Sequence, residues 1–340
     1  MPGEVSAERR TYLSRFADRR YKASVAASKG ARGVILAPPP REGFDTGLPK
    51  LAYEAASGSA KRRAVAVDRA TGERMLSKLG AAERAEMVAA LEEGEAAGSA
   101  LIGIAAGSTI ALDFERREGR NVLARLDLDG KVPGEGRPPF VIGAHVDHLG
   151  RGETSGSLAT GAEADAIHPG ADDNASGVAA MIEVAERLAA MRAEGALDGA
   201  RDIVFAAWSG EELGLLGANA YVEDTARAAD REDLSDLVSA YLNMDMVGRL
   251  EERLVIQGVG SSPVWPREIE RRNAVVGLPV RTVEDTYLPT DATAFYLAGV
   301  PMISLFTGAH EDYHRPSDTA DKLNYDGLAD VARFVALVAR

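Results

Sequence analysis

Residues 139–147 read "PFVIGAHVD", an apolar run that ends in a histidine and an aspartate. The run has the length and composition of a strand, and His145 and Asp147 fall at its carboxyl end. The pattern recurs downstream. "DIVFAAW" (202–208) is followed by Glu211 and Glu212, and "SAYLNMDMV" (239–247) carries Asp245 just past its apolar core. "RLVIQG" (253–258) and "VPMISLF" (300–306) complete the strands, and His314 lies a few residues after the last of them. Helical patterns begin near Ser176, Leu213, Trp265, Asp291 and Asp326. Strands alternating with amphipathic helices predict an α/β fold with a mostly parallel mixed sheet covered by helices on both faces.

Ligands of open α/β sheets bind outside the carboxyl ends of the strands. Here that edge collects His145, Asp147, Glu211, Glu212, Asp245 and His314. Asp172 and Asp173 join them from "HPGADDNASG" (168–177), the loop that enters the helix after the first strand. One aspartate there is explained as a helix cap, but two are not. Carboxylates packed at one edge repel one another, and no Lys or Arg cluster lies between them in the sequence. A bound dication compensates such a charge. Two histidines with three or four carboxylates exceed the needs of one zinc ion, so the count favours two metals sharing a carboxylate.

Composition narrows the alternatives. The 340 residues include 39 Lys and Arg against 52 Asp and Glu, and the formal charge of −13 disfavours nucleic acid as a partner. The absence of cysteine excludes disulfides and thiolate metal sites, leaving N and O ligands. No apolar run reaches the roughly 18 residues that span a bilayer. The length predicts two domains, or one large α/β domain with an attachment, and the change of pattern places a boundary near Gly107 to Asp113, before a strand pair. The division is therefore 1–112 and 113–340, and none of the five histidines falls in the first part.

The motifs "GAHVDHLG", "HPGADDNASG", "WSGEELGLLG", "YLNMDMVG" and "HEDYHRPSDT", in that order over residues 113–340, resemble the M28 family of co-catalytic zinc aminopeptidases. The resemblance implies two Zn²⁺ per chain. His145 and Asp245 would hold one, Glu212 and His314 the other, and Asp173 would bridge them. Glu211 matches the general base and Asp147 the carboxylate that orients His145; Asp172 would brace the loop. His148, His168 and His310 receive no ligand role. The activity implied is hydrolysis of peptide bonds at the N-termini of peptides or proteins, by a metal-bridging hydroxide with Glu211 as base. A carboxypeptidase, a glutaminyl-cyclase-like enzyme of the same fold and a non-catalytic receptor-like shell are the alternatives. Where relatives often read "SDH", this chain has "TDAT" around Asp291, which implies altered pocket chemistry.

The first part, through "LSRFADRRYKASVAASKGARGVILA" (13–37), is similar to the protease-associated (PA) domain inserted in many M28 peptidases. In such relatives an export signal and opening peptidase elements precede the insert. The resemblance thus reads this chain as truncated, with a secreted or periplasmic full-length parent. Side-chain preference and oligomeric state are not legible in the sequence.

Overall fold

The computed structural model describes residues 118–340 apart from 129, 132–135, 153–155, 164 and 198–200, and of the first 117 chiefly 31–38 and 64–78. The chain divides into two units, Met1–Leu51 with Ala56–Glu115 and Ala52–Ala55 with Arg116–Arg340. In the first, β1 (Val34–Leu36) pairs in parallel with β2 (Ala64–Ala66). Helix α1 (Arg69–Leu76) follows, capped by Asp68, whose carboxylate accepts the Thr71 N–H at 2.8 Å. The apolar run of "GVILA" forms the first strand, and "KRRAVAVDRATGERMLSKLG" supplies the second strand and the helix. The helical pattern of "RRTYLSRFADRRYKASVAASKGA", most of that of "AAERAEMVAALEEGEAAG", and the strand pattern of "STIALDF" before Val122 lie outside the described residues.

The second unit is built on a seven-stranded sheet. Its strands are β3 (Val122–Leu126), β4 (Phe140–His145), β5 (Ile203–Trp208), β6 (Ala240–Met244), β7 (Leu254–Gln257), β8 (Val280–Thr282) and β9 (Met302–Phe306). The order is β3-β5-β4-β6-β9-β7-β8. The inner strands β5, β4, β6 and β9 are parallel, whereas β3 and β7 run antiparallel to their neighbours β5 and β9. Each of the five strands read in the sequence is present. Strand β8, three residues long, carries too short a pattern to be read.

Every residue of β4 is buried, as an apolar strand at the centre of a two-sided sheet requires. The chain leaves β4 for β5 on one side and returns over it to β6 on the other, so the crossovers part at the carboxyl end of β4. That parting opens a crevice where ligands bind in such sheets.

Helices α2 (Gly177–Ala193), α3 (Leu216–Ala229), α4 (Trp265–Val276), α5 (Ala292–Leu297) and α6 (Tyr325–Val338) cover the faces. Val184, Leu188, Ile269, Val331 and Phe334, from α2, α4 and α6, pack with Ile142, Leu242 and Ile303 of the sheet. On the other face Ala218 and Phe295, from α3 and α5, pack with Trp208 and Tyr241. Burying each large side chain contributes roughly 1.5–3 kcal/mol. Phe295 stacks on Tyr241 with ring centroids 3.9 Å apart and 7° between planes. This aromatic layer needs a residue without a side chain on β4. A Cβ at Gly143 would lie 2.4 Å from both Trp208 Nε1 and Tyr241 Oη.

Gly143→Ala is therefore expected to lose on the order of 1–3 kcal/mol of stability, because two rigid rings must shift. Urea unfolding followed by Trp fluorescence measures it; an unchanged midpoint would show that the layer is not close-packed.

Candidate metal centre

The carboxyl ends of the parallel strands place the polar residues. His145 is the last residue of β4, Asp245 directly follows β6, Glu211 and Glu212 lie in the loop after β5, and His314 follows β9 by eight residues. Asp173 sits in the turn 171–176 that feeds α2, where the Asp173–Asn174 peptide is cis. Gly170 opens this turn with φ +60°; a Cβ there would meet the Asp173 carbonyl oxygen at 2.2 Å and the His148 ring at 2.6 Å, so only glycine fits.

The two oxygens of Asp173 face two different groups. Oδ1 lies 3.3 Å from His145 Nε2, which is 3.5 Å from Asp245 Oδ1. Oδ2 lies 3.2 Å from His314 Nε2, which is 3.4 Å from Glu212 Oε2. Both imidazoles are oriented from behind. Nδ1 of His314 donates to the Gly156 carbonyl at 2.7 Å, and Nδ1 of His145 donates to the main-chain carbonyl of Asp147 at 3.0 Å. A carbonyl only accepts, so Nδ1 carries the hydrogen in each ring. The neutral ring then turns a lone pair on Nε2 towards carboxylate oxygens, which is repulsive unless a proton or a cation lies between.

A cation fits this donor set. Zn–N and Zn–O bonds of about 2.0–2.1 Å in a tetrahedron separate ligand atoms by about 3.3–3.4 Å. The four spacings across the two groups match that value. His145, Asp173 and Asp245 form one metal-compatible group, and a second joins His148, Asp173 and Glu212. His148 Nδ1, however, is 2.8 Å from Glu212 Oε1, which is a hydrogen-bond distance rather than a tetrahedral edge. It holds one oxygen of Glu212 while the other faces His314.

Electrostatics agree with this charge arrangement. Burial opposes ionisation of Asp173, yet the imidazoles of His145 and His314 hold its carboxyl well below the ordinary range. Burial likewise works against a charged His145, but Asp173 and Asp245 push its pKa well above the usual value. Glu211 is pushed up to about 9 by burial and by Asp245, Asp291 and Glu212, against the opposing effect of His145. Without a dication, protons carry the compensating charge.

Asp147 acts through more than His145. Its carboxylate is 3.8 Å from that ring and accepts the main-chain N–H groups of Glu211 at 3.0 Å and Glu212 at 3.3 Å, so it fixes the loop bearing both glutamates. Asp172 accepts the Gly248 N–H at 2.7 Å and meets His310 Nε2 at 3.1 Å, away from the paired cluster. His168 is engaged by Ser157 and the Ala166 carbonyl.

Sequence reasoning missed a second layer. Asp318, fully buried, accepts the N–H groups of Asp172 at 2.9 Å and Asp173 at 3.1 Å and pairs with Arg249 at 3.0 Å. Arg249 also reaches Asp312, which Lys322 holds from the other side. Asp318 stands in the quoted "HEDYHRPSDT", but its role depends on contacts 145 residues away in the chain. Asp291 was quoted without a role; both of its buried oxygens lack a partner among the described residues. Burial, with Asp245 and Asp147, pushes it up to about 7 against the effect of His145.

The profile of peptidase family M28 matches residues 121–339. A probable glutamate carboxypeptidase VP8 of Zea mays is 27% identical over 260 residues, covering 69% of this chain and 32% of that protein. An aminopeptidase of Pseudomonas aeruginosa (strain UCBPP-PA14) is 30% identical over 219 residues, covering 54% of this chain and 39% of that protein. The chain thus spans well under half the length of both. Among solved structures, an aminopeptidase from Aneurinibacillus sp. strain AM-1 aligns with a TM-score of 0.50 at 19% identity, over 99% of this chain and 66% of that one.

Two outcomes test the centre. Asp173→Ala should lose both metal sites together in a zinc titration against a chromogenic chelator, because one carboxylate faces both groups; retention of two equivalents would contradict the shared position. The second concerns Asp312. Burial disfavours its charge, but Lys322 and Arg249 hold its pKa at about 2, below the ordinary value of 3.8. A lowered folded-state pKa contributes stability that is present above the ordinary value and lost as pH falls towards the folded one. The stability difference between wild type and Asp312→Asn should therefore shrink between about pH 4 and pH 2. Urea midpoints at pH 7, 4 and 3 check it, and a constant difference would contradict the ion-pair account.

Proposed function

The chain belongs to peptidase family M28, and from that membership and the paired cluster we propose that it is a two-zinc exopeptidase that removes amino-terminal residues from peptides. The observation that supports this reading best is Asp173, whose two oxygens address two His–carboxylate pairs at zinc-ligand spacing. In this reading His145 and Asp245 would hold one ion, Glu212 and His314 the other, and Asp173 would serve both. Bound zinc supplies an electrophile for the scissile carbonyl and acidifies the attacking water towards neutrality.

The protein's own groups do the rest. Glu211 lines the cleft, and its carboxylate has no hydrogen-bond partner among the described residues, so it is free to take the proton of the water and pass it to the leaving amine. Asp147 keeps Glu211 in place through its main-chain N–H. His148 and the Gly156 carbonyl hold Glu212 and His314 in register. Tyr313 stacks on His314 with centroids 3.8 Å apart, which limits rotation of that ring.

Charge favours the amino terminus of the substrate. Among the described residues no Lys or Arg lines the cleft, whereas Glu211, Glu212, Asp173 and Asp245 do. A substrate carboxylate would find no Lys or Arg counter-charge beyond the metal sites, while an α-ammonium group is attracted by carboxylates and can donate to backbone carbonyls. The carboxypeptidase alternative lacks that cation. A single-zinc cyclase is disfavoured by the second His–carboxylate pair, and a receptor-like shell by the completeness of both. In this reading the first unit is a protease-associated domain and the protein is secreted or periplasmic. No helix among the described residues is long and apolar enough to cross a membrane.

Zinc-loaded protein should release the first residue of an unblocked peptide and ignore the N-acetylated peptide. Glu211→Gln should keep two zinc ions per chain and lose turnover by about 10²–10⁴-fold, the size expected for a positioned proton-transfer group. Loss of zinc from that variant would instead make Glu211 a ligand.

A further inference from the structure

The cleft that holds the paired cluster encloses a cavity of about 220 Å³, and its walls continue beyond the metal-facing residues. Met246, Phe306 and Tyr313 supply apolar or aromatic wall, and Gln257, Thr290 and Ser304 add uncharged hydrogen-bonding groups. Gln257 and Ser304 are opposite partners on antiparallel strands β7 and β9, so their side chains share one face of the sheet.

A hydrogen-bond relay determines what Ser304 can offer. The Trp208 indole N–H only donates, and it donates to Tyr241 Oη at 2.8 Å. The tyrosine hydroxyl proton then goes to Asn243 Oδ1 at 2.7 Å. This fixes the orientation of the amide, so Asn243 Nδ2 donates to Ser304 Oγ at 3.3 Å. Ser304 is left with its own proton uncommitted, at the cavity wall. Thr290 Oγ1 is buried without a partner among the described residues. The Gln257 amide has none among them either, so it presents both a donor and an acceptor.

We infer that this cavity selects peptides whose first residue carries a carboxamide side chain, with Gln257 as the specificity-determining residue. The inference rests on the aminopeptidase reading above. A carboxamide matches the set: its methylene stem lies against the apolar wall, its oxygen accepts from Ser304 and Thr290, and its NH₂ donates to the Gln257 carbonyl. An apolar side chain of the same length would bury those groups unpaired, which is unfavourable. A side-chain ammonium finds no carboxylate on this wall beyond Glu211 and the metal-facing groups. A side-chain carboxylate finds no Lys or Arg on this wall among the described residues.

The test uses the zinc-loaded full chain and two tripeptides, Gln-Ala-Ala and norleucine-Ala-Ala, with the released first residue quantified. The kcat/KM ratio of glutamine to norleucine should be at least ten, and Gln257→Met, which retains length but loses the amide, should lower it at least ten-fold. Ser304→Ala, a smaller change, should lower it in the same direction. A ratio below one in the wild type, or a ratio unmoved by Gln257→Met in a variant that still binds two zinc ions, overturns the inference. If neither peptide is cleaved, the aminopeptidase reading fails, and calorimetric binding of free glutamine and norleucine to the same protein decides the pocket separately. Tighter glutamine binding supports selection by the amide, whereas equal binding, tighter norleucine binding or none overturns it. Release of ammonia with a cyclised amino terminus would retain the selection and replace the reaction.

Discussion

The rest of the site depends on a single carboxylate. Asp173 is buried, faces a histidine with each oxygen, and stands among three further acidic side chains. An arrangement of this kind is strongly unfavourable unless positive charge is returned to it, since a buried ion without a partner costs several kcal/mol. The histidines cannot return it as neutral rings, because their Nδ1 hydrogens are committed to carbonyls behind them. Protonation or metal must supply it, and the ligand-atom spacing is that of zinc.

The fold exists to keep that carboxylate in place. Four parallel strands end at the same level, and the crossovers part at β4, so loops from both sides converge on one crevice. The turn bearing Asp173 is pinned through its main chain by Asp318, and Asp318 is held by the Arg249–Asp312–Lys322 chain of ion pairs. The glutamate loop is pinned in the same manner by Asp147. In both cases a carboxylate, fully buried in Asp318 and partly buried in Asp147, accepts backbone N–H groups, the kind of outer support that sets ligand geometry in metal sites. His314 and Met246 have φ of +55°, an uncommon conformation for residues with a side chain, and both border the cluster.

How much of this was legible in the sequence follows from the range of each interaction. The five strands and the helices of the second unit were readable because hydrophobic periodicity is local, and strand ends mark a sheet edge without knowledge of strand order. His145, Glu211, Glu212, Asp245 and His314 were readable as a set because each follows an apolar run, whereas Asp173 was singled out from Asp172 only by the family resemblance. Strand β8 was not, since three residues carry no period. Asp318, Arg249 and His148 were not, because they act on residues distant in the chain and nothing near them distinguishes such a role from a surface charge or a structural ring. Asp147 shows the same limit. Its proximity to His145 is written in the sequence, but the amides it holds are 64 and 65 residues away. The cavity wall was the least legible, because a lone glutamine at the end of β7 acquires meaning only through its cross-strand neighbour.

The most direct test of the shared carboxylate is the metal–metal distance in the zinc-loaded protein, read from X-ray absorption at the zinc edge with the metal content determined on the same sample. The account predicts two zinc ions per chain and a zinc–zinc vector of about 3.5–4 Å, the spacing that one bridging carboxylate imposes. A single ion per chain, or two ions with no such vector, would contradict it.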